Sequence, residues 1–330
     1  MLKALQQIAQ EDYPVHSRVH PLKIGCQYGV SCWVKREDEL GCLLSGSKVR
    51  KYRSLVAALK MRGCTKAALI GSQFSNHILG LSSLLIENGI EPTLFLLKGI
   101  DSPKVGNGLF IELFVAKQNI RYIDRENWHN AHEIASSWQQ QNSAHKAEVI
   151  PEGGSVVDSI TGLASLGADI VQNEAAIGHT FTNILIDSGS GLTSATLIAY
   201  FGLIKKEVHI HVMLAASTPD EFTNTLEQVK QALELSVESK ITHTPVYTLH
   251  TPTTAKSFGA TNSTIFETVL QAARLEGFLL DPLYSSKLYL LLKNLLESKS
   301  LAGPTLFIHS GGLFSLSGFQ AQLQKSHDQS

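Results

Sequence analysis

Asn183-Ile-Leu-Ile-Asp187 runs into Ser188-Gly-Ser-Gly-Leu-Thr-Ser194 and then into an apolar stretch reaching Ile204. Three successive apolar residues, a glycine turn and a helical pattern in that order read as a strand feeding a helix. Exposed backbone N–H groups at a helix start favour an anion, and glycines let it approach closely. Ser190, Thr193 and Ser194 can add hydroxyl donors, so the turn has the chemistry of a phosphate cradle, against the plainer reading of a strand–helix connection. It matches neither Gly-x-Gly-x-x-Gly nor Gly-x-x-x-x-Gly-Lys, so dinucleotide and triphosphate sites lose their main support.

The same alternation extends in both directions. Upstream, Ala67-Ala-Leu-Ile70 precedes a helix over 76–87, and Thr93-Leu-Phe-Leu-Leu97 precedes a helix around 109–117. Arg121-Tyr-Ile123 precedes a helix over 127–140, and Glu148-Val-Ile150 leads into the turn Pro151-Glu-Gly-Gly154. Downstream come a strand over 208–214, a helix over 221–235, a strand over 246–249, helices over 265–276 and 286–297, and a closing strand over 305–309 before Gly311-Gly312. This order predicts an α/β protein of two packed lobes, each a mostly parallel sheet flanked by helices. The site belongs in the crevice at the strand C-termini.

Composition narrows the partners. The 330 residues are 43% hydrophobic and 17% charged, with a net charge of -1, so no nucleic acid is implied. Met1 to Gln10 lacks the apolar core of a signal peptide, and no run approaches ~20 apolar residues, so no membrane span and a cytoplasmic location are expected. Cys26, Cys32, Cys42 and Cys64 form no Cys-x-x-Cys pair and are read as structural or incidental. His209-Ile-His211 puts two imidazoles on one strand face without a third ligand nearby in sequence, so no metal is expected.

Several local motifs carry chemistry. Ser45-Gly-Ser-Lys48 matches the Ser-x-x-Lys of serine β-lactamases, but no Ser-Asp-Asn or Lys-Thr-Gly follows, nor is there a Gly-x-Ser-x-Gly elbow. Lys48 precedes a helical stretch over 52–62. A lysine that forms an imine must be partly desolvated, and Arg50 and Lys51 push its pKa the same way if their charges lie close. Alone, it reads as a surface lysine. Phe74-Ser-Asn-His77 opens a helix, where Ser75 and Asn76 are ordinary caps that could also hold a substrate carboxylate. In Asp281-Pro-Leu-Tyr-Ser285, the plain reading of Ser285 is an N-cap.

Taken together, Lys35-Arg-Glu-Asp38, Ser45-Gly-Ser-Lys-Val-Arg-Lys51, Ser75-Asn-His77, Pro151-Glu-Gly-Gly154, Ala273-Arg-Leu-Glu-Gly277, Leu280-Asp-Pro-Leu-Tyr284 and His309-Ser-Gly-Gly312 resemble the 1-aminocyclopropane-1-carboxylate (ACC) deaminase and D-cysteine desulfhydrase family. The resemblance covers nearly the whole chain. It implies the tryptophan synthase β-like fold type II of pyridoxal-phosphate enzymes, pyridoxal 5'-phosphate as cofactor, a small amino-acid substrate and a homodimer. It further implies a large cofactor domain of residues 1–50 and 164–330 and a small domain of residues 51–163.

By the same resemblance, Lys48 carries the cofactor and serves as the base at Cα, and Lys51 lies near the phosphate. Asn76 meets the cofactor's 3′-oxygen, and Ser75, Asn76 and His77 surround the substrate carboxylate. Ser190, Gly191, Leu192 and Thr193 bind the phosphate, and Tyr284 assists acid–base or nucleophilic chemistry. Ser285 falls where the ring nitrogen finds its partner; ACC deaminases have Glu there and D-cysteine desulfhydrases Thr. A hydroxyl leaves the ring a weaker electron sink than a carboxylate does. That favours α,β-elimination, giving pyruvate, ammonia and hydrogen sulfide, over ring opening to 2-oxobutanoate. Two departures from the family, Phe74 for Gln and Phe258 for Tyr at the substrate, keep open ACC deaminase activity and a cofactor-binding protein without efficient catalysis.

Overall fold

The computed structural model describes residues 16–41, 46–99 and 105–329; Met1–Gln10, Cys42 and Ser45, read above from sequence, lie outside them. In chain order, β1 (Val19–Pro21), α1 (Lys23–Tyr28) and β2 (Cys32–Lys35) come first, then α2 (Lys48–Met61). Next are β3 (Lys66–Ser72), α3 (Asn76–Glu87), β4 (Glu91–Leu97), α4 (Asn107–Phe114), β5 (Ile120–Ile123), α5 (Ala131–Gln141) and β6 (Glu148–Ile150). Then come α6 (Val156–Ile177), β7 (Asn183–Ser188), α7 (Leu192–Leu203), β8 (His209–Leu214), α8 (Pro219–Val237) and β9 (Tyr247–His250). The last are α9 (Ser263–Glu276), α10 (Ser285–Glu297), β10 (Thr305–Ile308) and α11 (Gln320–Asp328).

The strands form two sheets. One runs β5-β4-β3-β6, all parallel, with Ala68 opposite Thr93 and Val149. The other runs β1-β2-β10-β7-β8-β9 and is parallel except for β1, which pairs antiparallel with β2. The expected mostly parallel sheets flanked by helices are therefore present. Helices cover both faces of each sheet, which is why the strands read as continuous apolar runs. On β7, Ile184 and Ile186 face the α6–α7–α8 side while Leu185 faces α10, the alternation that strand geometry imposes.

The helix over 156–177 is the main element the sequence reading missed. It spans 22 residues, capped by the Ser155 hydroxyl at its start and by left-handed Gly178 at its end. Gly162 and Gly167 weaken a local helix signal. In the fold they are what lets α6 pack: a Cβ at Gly162 would stand 2.0 Å from the Arg50 carbonyl oxygen, and one at Gly167 2.3 Å from the Tyr200 ring. Strands β1 and β2 were also missed. The helix containing Lys48 begins at Lys48 itself rather than near Tyr52, so Lys48 stands in its first turn. Among the described residues, no helix is long and apolar enough to cross a membrane.

Candidate active site

The C-terminal ends of β3 and β7 face one cavity of about 430 Å³. Lys48, Lys51, Ser75, Asn76, His77, the turn Ser188–Thr193, Phe258 and Tyr284 all line it. Residues scattered over more than 200 positions of sequence thus meet at one place.

Lys48 is placed by a buried ion network under the start of α2. Arg50 donates to Glu37 at 2.6 and 2.8 Å and to Asp169 at 2.6 Å. Lys35 donates to the same Asp169 oxygen at 2.5 Å and to Asn173 at 2.6 Å, and the Ser17 hydroxyl donates to Glu37 at 2.6 Å. The Lys35-Arg-Glu-Asp38 stretch is therefore a mounting for α2, not a wall of the cavity. A second tie runs from the Ser47 N–H to the Ser310 carbonyl at 3.1 Å. Gly46 makes that approach possible: it has φ of 60°, and a Cβ there would stand 2.2 Å from the Ser310 oxygen.

Burial lowers the pKa of the Lys48 amine, while Asp187 and Asp281 oppose the shift. Its Nζ stands 5.7 Å from the centre of the Tyr284 ring. Arg50 is turned into the ion network instead of toward Lys48, so the anticipated push from Arg50 is not delivered. Nor does Lys51 figure among the causes acting on Lys48; the effect runs the other way. The Lys51 amine donates to the Gly153 carbonyl at 2.6 Å, and burial together with Lys48 brings its pKa down to about 7.

The start of α3 closes the opposite wall. The Ser75 hydroxyl accepts from the N–H groups of His77 and Ile78 at 3.1 and 3.4 Å, so it caps the helix while facing the cavity. Asn76 accepts from the Asn107 amide at 2.7 Å, which fixes its carboxamide. His77 Nδ1 meets the Tyr52 hydroxyl at 3.2 Å, and the buried ring also faces the Pro151 backbone. Burial, then Lys51 and Lys48, hold the imidazole neutral, with its pKa well below the usual value. Phe74 is half-exposed, does not line the cavity and packs on Gly108.

The glycine turn before α7 has the geometry expected of an anion cradle. Gly191 occupies the N-cap with φ of 90° and no side chain caps the helix, so the first N–H groups of α7 remain available at the cavity. Ser194 also lines the cavity, and its hydroxyl donates to the Ser188 hydroxyl and the Gly191 carbonyl, bracing the turn. Gly153, with φ of 79°, comes so near Ser190 that a Cβ on it would lie 2.5 Å from the serine Cβ.

Tyr284 lies over Gly189, and Phe258 lies 6.1 Å from it as an outer, half-exposed wall. Burial, then Asp281 and Asp187, push the Tyr284 phenol above its ordinary pKa. Ser285 is buried but does not line the cavity. Its hydroxyl donates to the Asp281 carboxylate at 2.7 Å and accepts from the Asp281 N–H at 2.8 Å. Ser285 is the first residue of α10 and not its N-cap, which is Tyr284; the Asp281 carboxylate accepts from the N–H groups of Leu283, Tyr284 and Ser285. Asp187, Glu152 and Ser310 line the cavity and were not singled out beforehand. An acid ending an otherwise apolar strand was the available signal for Asp187.

A buried lysine amine of lowered pKa, beside a helix start with uncapped N–H groups and an aromatic ring, suits an aldehyde-bearing phosphate ester such as pyridoxal phosphate. The comparisons agree. The chain is 27% identical over 297 residues to a putative 1-aminocyclopropane-1-carboxylate deaminase of Thermotoga maritima, covering 88% of this chain and 91% of that one. It is 26% identical over 307 residues to the D-cysteine desulfhydrase of Yersinia enterocolitica, covering 89% and 90%. A solved ACC deaminase homologue superposes with a TM-score of 0.82 at 21% identity over 99% of this chain and all of that one. Escherichia coli diaminopropionate ammonia lyase shares the fold at a TM-score of 0.67 and 15% identity, over 98% of this chain and 90% of that one. The model of the pyridoxal-phosphate dependent enzyme family matches residues 17–311, nine-tenths of the sequence and every cavity-lining residue among them, and to that family this chain belongs.

Proposed function

We propose that the protein is a lyase that removes the thiol from D-cysteine, giving pyruvate, ammonia and hydrogen sulfide. What supports this reading is the resemblance, which sets Ser285 where ACC deaminases have Glu and D-cysteine desulfhydrases have Thr; an uncharged hydroxyl there, here engaged with Asp281, suits elimination better than ring opening. The relatives named for D-cysteine support the same reading.

When bound, the cofactor would supply a sink for the electron pair left at Cα. The chain's own residues do the rest. The N–H groups and side chains at the start of α3, from Ser75 to His77, hold the substrate carboxylate. The turn from Ser190 to Thr193 and the Lys51 amine hold the phosphate. Lys48 would hold the cofactor, and its amine is the group placed to accept the proton from Cα; burial favours its neutral form for that task. Tyr284, whose phenol stays protonated at neutral pH, gives its proton to the departing sulfur. Phe258 packs on Tyr284 and offers no hydroxyl of its own.

Two other readings have support of their own. ACC deaminase activity is what several similar proteins are named for, and it would release 2-oxobutanoate. A binding protein with little turnover is favoured by Phe258, which leaves the substrate side one hydroxyl short. Incubating the protein with D- and L-cysteine and with the cyclic amino acid, and measuring sulfide and keto acid, separates the three. Sulfide and pyruvate from D-cysteine are expected, with Lys48→Ala lowering the rate by about 10³-fold or more. Release of 2-oxobutanoate alone would replace the proposal by the deaminase. A visible band that no amino acid perturbs would replace it by the binding protein.

A further inference from the structure

Asp187 stands at the end of a strand whose other residues from Asn183 to Ile186 are buried, directly before the glycine turn. A carboxylate in such a place is unfavourable unless donors or a cation hold it. The Ser310 hydroxyl supplies one donor. Its Oδ1, however, is buried with no hydrogen-bond partner among the described residues. Asp187 shares the cavity with Lys48, and each acts on the charge of the other.

Most of the other charged and titratable groups around that amine are committed or neutral, and Glu221, also at the cavity, is held as a carboxylate by the Thr218 N–H and hydroxyl at the start of α8. Asp281 has both oxygens taken by N–H and O–H donors of its own turn. On α2, Lys51 donates to Gly153, and Arg50 is held by Glu37 and Asp169. His77 on α3 is neutral, and the Tyr284 phenol keeps its proton. Glu152 lines the cavity from the turn before α6, and burial raises its pKa.

We propose that Asp187 is the counter-ion of Lys48, a positioning residue that acts through the amine and not on the substrate. When the Cα–H bond breaks, the proton forms an N–H bond on Lys48 and the electron pair stays with the carbon. Asp187 then shares the cavity with a new ammonium, whose positive charge its carboxylate favours. Before that step, burial moves the carboxyl up and the amine down, which favours the uncharged form of each. The inference rests on the reading of Lys48 as the reactive amine.

Two measurements on the full-length protein test it. In the cofactor-loaded protein, the pH midpoint of the visible band is followed by absorbance. In the protein without cofactor, the pH dependence of Lys48 labelling by acetic anhydride is followed by peptide mass, with exposed Lys60 as the dose reference. Asp187→Asn should lower both midpoints by about one pH unit, which is about tenfold more labelling of Lys48 at neutral pH. Asp187→Glu should return them toward the parent value. Midpoints in Asp187→Asn equal to those of the parent protein would overturn the proposal. If Asp187→Asn does not fold, Ser310→Ala removes a donor from the anion and should shift the midpoints the same way by less; no shift there overturns it equally. A parent protein that shows no visible band refutes the cofactor reading, while the labelling still judges Asp187.

Discussion

Lys51 shows how one residue sets the pH range of the site. Its charged form dominates below about pH 7 and is lost above, because burial and the Lys48 charge both favour the neutral amine. An anion bound at the turn before α7 should therefore be held more weakly as the amine loses its proton. Sulfate is a suitable probe, since its own charge is constant over this range. Calorimetric titration of the cofactor-free protein should show sulfate affinity falling roughly tenfold between about one pH unit below and one above that midpoint. Lys51→Met should bind weakly with a flat profile. A flat profile in the parent protein would remove Lys51 from the phosphate site. At this scale the family resemblance, not local spacing, pointed to Lys48, Ser75 to His77 and Tyr284, and the fold brings them to one cavity; alone, Lys48 reads as a surface lysine. Two things were not legible. The Ser285 hydroxyl is oriented by its bonds to Asp281, and the cavity position of Asp187 depends on β7 lying beside β10, which brings Ser310 near.

Between elements, the decisive contact is α2 against α6. The Arg50 carbonyl lies where any side chain at Gly162 would have to be, and the Arg50 guanidinium reaches Glu37 and Asp169 beside it. Breaking a buried ion pair by removing one charge costs about 3–5 kcal/mol, since the partner is left uncompensated. Glu37→Gln should lower the urea-unfolding free energy by about that amount, and a loss below about 1 kcal/mol would show that the network does not hold α2 in place. The pH sign follows from Asp169. Burial alone would raise its pKa, but Lys35 and Arg50 outweigh that and hold it below the ordinary value. Its contribution is therefore complete above the unfolded-state pKa and is lost as the pH falls through the folded one. None of this could be read from spacing, because Glu37, Arg50 and Asp169 belong to three separate segments. For the same reason α6 escaped notice: its glycines look like breaks until the neighbouring backbone is in place.

At the scale of the whole molecule, two parallel sheets aim their C-terminal edges at one cavity, and the alternation of strands and helices made that arrangement legible from sequence. The chain's antiparallel margin, β1 against β2, was not legible, since its strands are three and four residues long and flanked by irregular backbone. The architecture explains why Lys48, the helix start at Ser75–His77 and the turn at Ser190–Thr193 come from distant segments: each lies just past a strand end or at a helix start facing the crevice. The central claim is that this crevice holds pyridoxal phosphate through Lys48. The most direct test is to load the protein with the cofactor, reduce it with borohydride, digest it and locate the modified lysine by mass spectrometry. A visible band that disappears on reduction, with the pyridoxyl phosphate group on Lys48 and on no other lysine, is the predicted result. A colourless protein, or the group attached to Lys51 or a surface lysine instead, would contradict it.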